Sequence, residues 1–161
     1  MKSAVIYISV IAALGGFLFG FDTAVISGTV ESIKSPEFGF GLTAGELGFA
    51  VASVLIGSAI GAWYAGIAAI KFGRVKVMLI ASVLFSLSAI GSAFAFNLWD
   101  FSFWRLVGGL GVGIAAVIAP AYIAEVSPAH LRGRLGSLQQ LAIAIGLLVS
   151  FISNNVVILA V

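Results

Sequence analysis

Apolar residues fill this chain in five long runs, separated by short polar intervals. The runs fall at roughly residues 4–27, 47–70, 77–96, 102–124 and 135–159, each close to the ~20 residues a helix needs to cross a bilayer. The pattern predicts an all-α membrane protein with five transmembrane helices. The first run is too long for a signal-peptide core, meets no small-residue cleavage site and carries Asp22, so it reads as mature structure. Thr43 and Glu46 precede the second run at capping-box spacing, which satisfies free N–H groups at a helix start.

The polar intervals give an orientation. Lys2 precedes the first run, Lys71, Arg74 and Lys76 join the second and third, and Arg132 and Arg134 join the fourth and fifth. These cations fall on one side of a serpentine chain. The other side has only Lys34, in an expected loop over 27–43, and no basic residue in the expected turn over 97–101. Short basic loops stay cytoplasmic, so the N-terminus is expected inside and the chain multi-pass in the plasma membrane. Trp99, Phe101 and Trp104 lie where an outer aromatic belt belongs.

Composition agrees with lipid as the solvent. The chain is 61% hydrophobic and 9% charged, against about 25% charged in soluble domains. The net charge of +2 and pI of about 9.2 raise nucleic acid as a partner, but so few basic residues, set between apolar runs, fit topology instead. Cysteine is absent, which excludes thiol nucleophiles and thiolate metal sites. No triad, metal cluster or paired carboxylates occur, so neither enzymatic chemistry nor a cofactor is expected.

The polar residues inside the runs carry the candidate chemistry. Asp22 and Arg105 are the acid and base within spans. Charges there are costly and are retained as proton relays or as ion pairs that fix helix positions. Asp22 is six residues before Gly28, about 9 Å below the expected outer end of its helix, and Arg105 is four beyond Phe101, about 6 Å deep. The two are therefore expected to face each other in the bundle interior near the outer leaflet. Gln139 and Gln140 are adjacent and cannot share a helix face, so one is expected to point inward. An amide suits a polyol, or an interhelical hydrogen bond. Gly16 and Gly20, Gly57 and Gly61, and Gly109 and Gly113 are spaced for close helix packing. The string from Gly109 to Gly113 lacks the preceding strand of a dinucleotide loop and is rejected as one. Glu125 stands among cations and is expected to pair with Arg74, Arg132 or Arg134. His130 reads as solvated.

Several of these segments resemble the sugar porters of the major facilitator superfamily. The first helix is similar over Gly15-Gly-Phe-Leu-Phe-Gly-Phe-Asp-Thr-Ala-Val-Ile-Ser-Gly28. Residues 66–76 resemble the loop between helices two and three. Arg105-Leu-Val-Gly-Gly-Leu-Gly-Val-Gly113 resembles helix four, and Pro120-Ala-Tyr-Ile-Ala-Glu125 with Pro128 and Arg132-Gly133 resembles the following loop. Gln140-Leu-Ala-Ile-Ala-Ile-Gly146 resembles helix five. The resemblance implies most of the N-terminal six-helix half of a major facilitator fold, with its C-terminal half as the missing partner. It implies monosaccharide transport by alternating access, with proton symport. It makes Asp22 the proton-coupling acid and Arg105 its partner, and makes Gln140 and Phe19 contacts of the sugar. Glu125, Arg74, Arg132 and Arg134 become a cytoplasmic salt-bridge cluster. Two positions depart from the loop pattern: Ile70 stands where an acid is usual and Val75 where an arginine is. The chain reads as a fragment of a longer transporter. The rival expectation is a non-transporting membrane module, such as a sugar sensor or assembly partner, or an inactive truncated product.

Overall fold

A computed structural model describes the backbone over residues 2–34 and 43–160, and side chains within 5–26, 43 and 45–156. The described residues form five helices: α1 Lys2–Lys34, α2 Ala44–Phe72, α3 Arg74–Ala93, α4 Leu98–Val126 and α5 Arg132–Ala160. All five contain an apolar stretch long enough to cross a membrane. Large apolar side chains such as Trp63, Ile70 and Phe96 are exposed at 78%, 87% and 89%. Water would penalise such a surface, whereas hydrocarbon does not.

Helix ends follow from local chemistry. Residues 28–34 contain no proline, and α1 continues through them, so Lys34 closes a helix instead of lying in a loop. The rest of that expected loop, residues 35–42, lies outside the described residues. At the start of α2, Glu46 N–H donates to Thr43 Oγ1 at 3.4 Å, and Thr43 N–H donates back to Glu46 Oε2 at 2.9 Å, completing the expected box. The basic turn over 71–76 contracts to Gly73 alone. Its φ of +84° is a region that side chains with a Cβ rarely adopt, and its N–H still reaches the Ala69 carbonyl at 3.0 Å. Lys71 thus falls in the last turn of α2, and Arg74 and Lys76 in the first turn of α3.

The expected turn over 97–101 moves to residues 94–97 because Asn97 starts α4. Asp100 N–H donates to Asn97 Oδ1 at 2.9 Å, and Phe96 N–H donates to Asp100 Oδ2 at 3.3 Å. This early start alters the aromatic belt. Phe101 joins Ser102, Arg105, Gly108, Gly109 and Val112 on the buried stripe of α4. Trp99 stays exposed and meets Phe49 edge-on at 5.8 Å between ring centroids. Trp104 is half-buried, and its ring occupies the space left by the missing side chain of Gly91.

The chain divides into two compact units. One comprises Met1–Gly28 with Ala119–Val161, and the other Thr29–Ile118. The second unit packs α4 between α2 and α3. A Cβ at Gly57 or Gly61 would collide with the carbonyl oxygens of Leu106 or Leu110, and one at Gly109 or Gly113 with those of Val54 or Ser58. Partners rise together in number, so α2 and α4 run parallel with their backbones in contact. On the other side of α4, Gly91 meets Trp104, while Gly111 lies where a Cβ would be 2.7 Å from the Ala81 carbonyl. That pairing is antiparallel, as a short turn requires. Ala65, Ala69, Val77 and Ile118 form the apolar core of this unit.

The first unit repeats the device. Gly16 and Gly20 receive the backbone of Gln139 and Ile143, and Gly146 receives that of Phe17. Here α1 and α5 run parallel. Without a hydrophobic force between helices in lipid, such close approach supplies the dispersion contact that holds them together.

Candidate functional site

In the first unit, the two glutamines separate as their adjacency demands. Gln139 is buried against Gly16, where a Cβ would lie 3.4 Å from Gln139 Cγ. Its Oε1 accepts no hydrogen bond among the described residues. Gln140 is exposed on the neighbouring face of α5, and Phe19 is 37% exposed on α1. Neither is buried in the α1–α5 interface.

Asp22 is half-buried on α1. The carbonyls around it receive side-chain donors. Thr23 Oγ1 donates to the Phe19 carbonyl one turn back, at 2.8 Å. Asn154 Nδ2 on α5 donates to the Ala24 carbonyl at 3.1 Å, across 130 positions of sequence. Asn155, by contrast, turns to the Phe151 carbonyl of its own helix at 2.8 Å. At the other end of this unit, Arg132 Nε donates to the Ala124 carbonyl at 3.0 Å. A guanidinium there satisfies one of the last carbonyls of α4 and opposes the negative end of its dipole. Glu125, in the same last turn, is exposed, as are Arg132 and Arg134.

In the second unit, Arg105 is 8% exposed, a buried cation in an apolar span. The residue before it is anchored from α3: Ser88 Oγ donates to the Trp104 carbonyl at 2.6 Å. Gly108 makes room for that serine, because a Cβ at Gly108 would collide with the hydroxyl. Arg74 is half-buried at the start of α3. Asp22, Arg105, Arg74 and Glu125 are all engaged in interactions. Ile70 and Val75, the two departures from the loop pattern, are both exposed. Reading the sequence missed Asn154 and Ser88. The Asn154-Asn155 pair inside an apolar span was the available signal for the first; nothing set Ser88 apart from the other serines of α3.

Residues 8–160 match the family described as "Sugar (and other) transporter". This chain belongs to that family. A glucose transport protein of Synechocystis is 59% identical over 93% of this chain and 31% of its own length. The D-xylose-proton symporter of Escherichia coli K12 is 41% identical over 95% of this chain and 36% of its own length. Among solved structures, the proton:xylose symporter XylE bound to 6-bromo-6-deoxy-D-glucose superposes with a TM-score of 0.86, at 41% identity over 96% of this chain and 38% of that one. The chain therefore spans about a third of the length of the relatives it matches. Its five helices correspond to the N-terminal half of the major facilitator fold. The sugar-transporter relatives are multi-pass membrane transporters, and their names describe transport, not enzymatic reactions.

Proposed function

We propose that this chain supplies the N-terminal helices of a monosaccharide transporter working by alternating access, with sugar entry coupled to protons. The observation that carries the reading is the retention of Asp22 and buried Arg105 well inside apolar helices, in a chain whose relatives include a D-xylose-proton symporter. A charge kept at such cost serves a purpose that a packed apolar residue cannot. In this account Asp22 takes up the proton, and Arg105 is the second intramembrane charge that coupling uses. Protonation neutralises Asp22, and the loss of that charge links proton uptake to helix movement. Glu125 with Arg132 and Arg134, near the junction of α4 and α5, and Arg74, at the start of α3, are the cytoplasmic charges that act in closing that side while the site faces outward. The C-terminal half of the transporter completes the sugar site.

Gln140 and Phe19 are the sugar contacts on these helices, the amide for hydroxyls and the ring for the apolar face of the sugar. Gln140→Ala in the complete gene product should weaken sugar binding by about 1–3 kcal/mol, roughly five- to 150-fold in Kd. Equilibrium binding by isothermal titration checks this; an unchanged Kd would remove Gln140 from the sugar site.

The cation placement supports a cytoplasmic N-terminus. Arg74 and Lys76 open α3, and Arg132 and Arg134 open α5, with no acid in either first turn. A cation at the positive end of a helix dipole is unfavourable by ~0.3–1 kcal/mol, a cost consistent with selection for topology. Val75 and Phe96 are exposed near opposite ends of α3, and the chain has no native cysteine to interfere. Val75→Cys should be labelled by a membrane-impermeant maleimide only after permeabilisation, and Phe96→Cys in intact cells. The reverse pattern would invert the orientation.

A further inference from the structure

We infer that Asn154 is a positioning residue for proton coupling, which holds the α1 backbone beside Asp22. The inference rests on the role proposed above for Asp22. Asn154 Nδ2 donates to the Ala24 carbonyl at 3.1 Å, two residues beyond Asp22. Ala24 is 2% exposed and Asn154 half-buried, so this bond lies partly buried in the seam between α1 and α5. It does not duplicate the seam's packing. That packing is supplied by Gly16, Gly20 and Gly146, which sit one to three turns from the bond along their helices and contact backbone and apolar atoms.

The carbonyl chosen by Asn154 matters. In an α-helix the Ala24 carbonyl already serves the N–H four residues on, so the amide adds a second donor. Thr23 places a hydroxyl on the Phe19 carbonyl in the same stretch. Side-chain donors of this kind compete with the helical ladder and bend helices locally. The Thr23 donor belongs to α1 and travels with it. The Asn154 donor belongs to α5 and ties α1 to a second helix. An asparagine in an apolar span is itself unfavourable, and this bond is what its donor does there. An equivalent anchor in the other unit, Ser88 on the Trp104 carbonyl, fastens the residue preceding Arg105. A link from α5 to the Asp22 segment makes the attitude of the carboxyl depend on the helix that carries Gln140. Sugar contact and proton uptake then share one rigid connection.

The test uses the complete gene product in proteoliposomes, with Asn154→Leu, which keeps the shape and removes the donor, and Asn154→Gln, which keeps an amide donor. Two readouts are compared: sugar accumulation driven by an imposed proton gradient, and sugar counterflow exchange without a gradient. Asn154→Leu should lower the accumulation ratio by about threefold or more with counterflow within about twofold of the parent, as expected for loss of one part-buried hydrogen bond. Asn154→Gln should recover most of the accumulation. Accumulation by Asn154→Leu equal to the parent would overturn the inference. So would equal loss of accumulation and counterflow, which marks a general structural role; Asn154→Ala decides between the same outcomes if the leucine variant fails to insert. Asp22→Asn runs alongside. If that variant still accumulates sugar, the proton-coupling role of Asp22 fails, whatever Asn154 does.

Discussion

Asp22→Asn in the complete gene product should abolish uphill sugar accumulation and leave sugar binding in place. The amide has nearly the shape of the protonated carboxyl but cannot release or take up a proton. A pH gradient of one unit supplies 1.36 kcal/mol per proton, enough for about tenfold accumulation at one proton per sugar. The parent should approach that ratio, and the variant should settle near equal concentrations on the two sides. The neutral side chain also has the charge of the protonated carboxyl. Uphill uptake by Asp22→Asn at the parental level would rule out this acid as the coupling group.

The second large effect is structural. Gly113→Leu should separate α2 from α4, because a Cβ at that position would collide with the Ser58 carbonyl oxygen and stand 2.8 Å from the Ala62 backbone nitrogen. The obstacle is backbone, which cannot turn aside as a side chain can. Overpacking of ordinary cores costs about 1–3 kcal/mol, and this clash belongs at or above the top of that range. Gly48 and Gly66 lie on the same α2 helix with nothing within 4 Å of a built Cβ. Gly48→Ala and Gly66→Ala should therefore be neutral or slightly stabilising, since alanine is the better helix former by ~1 kcal/mol. Thermal unfolding of the detergent-purified protein separates the two classes. Equal midpoints for Gly113→Leu and Gly66→Ala would contradict the close α2–α4 contact.

The helices were legible because their signal is long and one-dimensional. Some twenty apolar residues in succession have few alternatives to a membrane span. Their ends were less legible, because they depend on single hydrogen bonds. Thr43 with Glu46 was readable as a box, while Asn97 with Asp100 is a weaker pattern of the same kind and starts α4 earlier than hydropathy suggests. Gly73 compresses an expected turn to one residue through a backbone angle that hydropathy does not register. The aromatic belt shows the consequence: a shift of four residues in the start of α4 carries Phe101 from the interface into the packed stripe.

For the candidate site, residue type pointed to Asp22 and Arg105, since ionisable groups are conspicuous in apolar spans. It could not say which glutamine faces inward, because adjacent residues differ only in where the neighbouring helix lies. The α1 glycines decide that, by seating Gln139 and leaving Gln140 exposed. Asn154 was the least legible of the polar positions. Its meaning comes from the Ala24 carbonyl, a backbone atom with no signature in the sequence.

The central claim is that these helices belong to a proton-coupled sugar transporter. Proteoliposomes containing the complete gene product, loaded with a lightly buffered interior, test it directly with a pH electrode in an unbuffered external medium. Addition of a transported pentose or hexose should make the external medium alkaline as protons enter with the sugar, and a protonophore should abolish the change. Sugar entry with no movement of protons would contradict the coupling; neither sugar entry nor proton movement, with any pentose or hexose, would contradict the transporter itself.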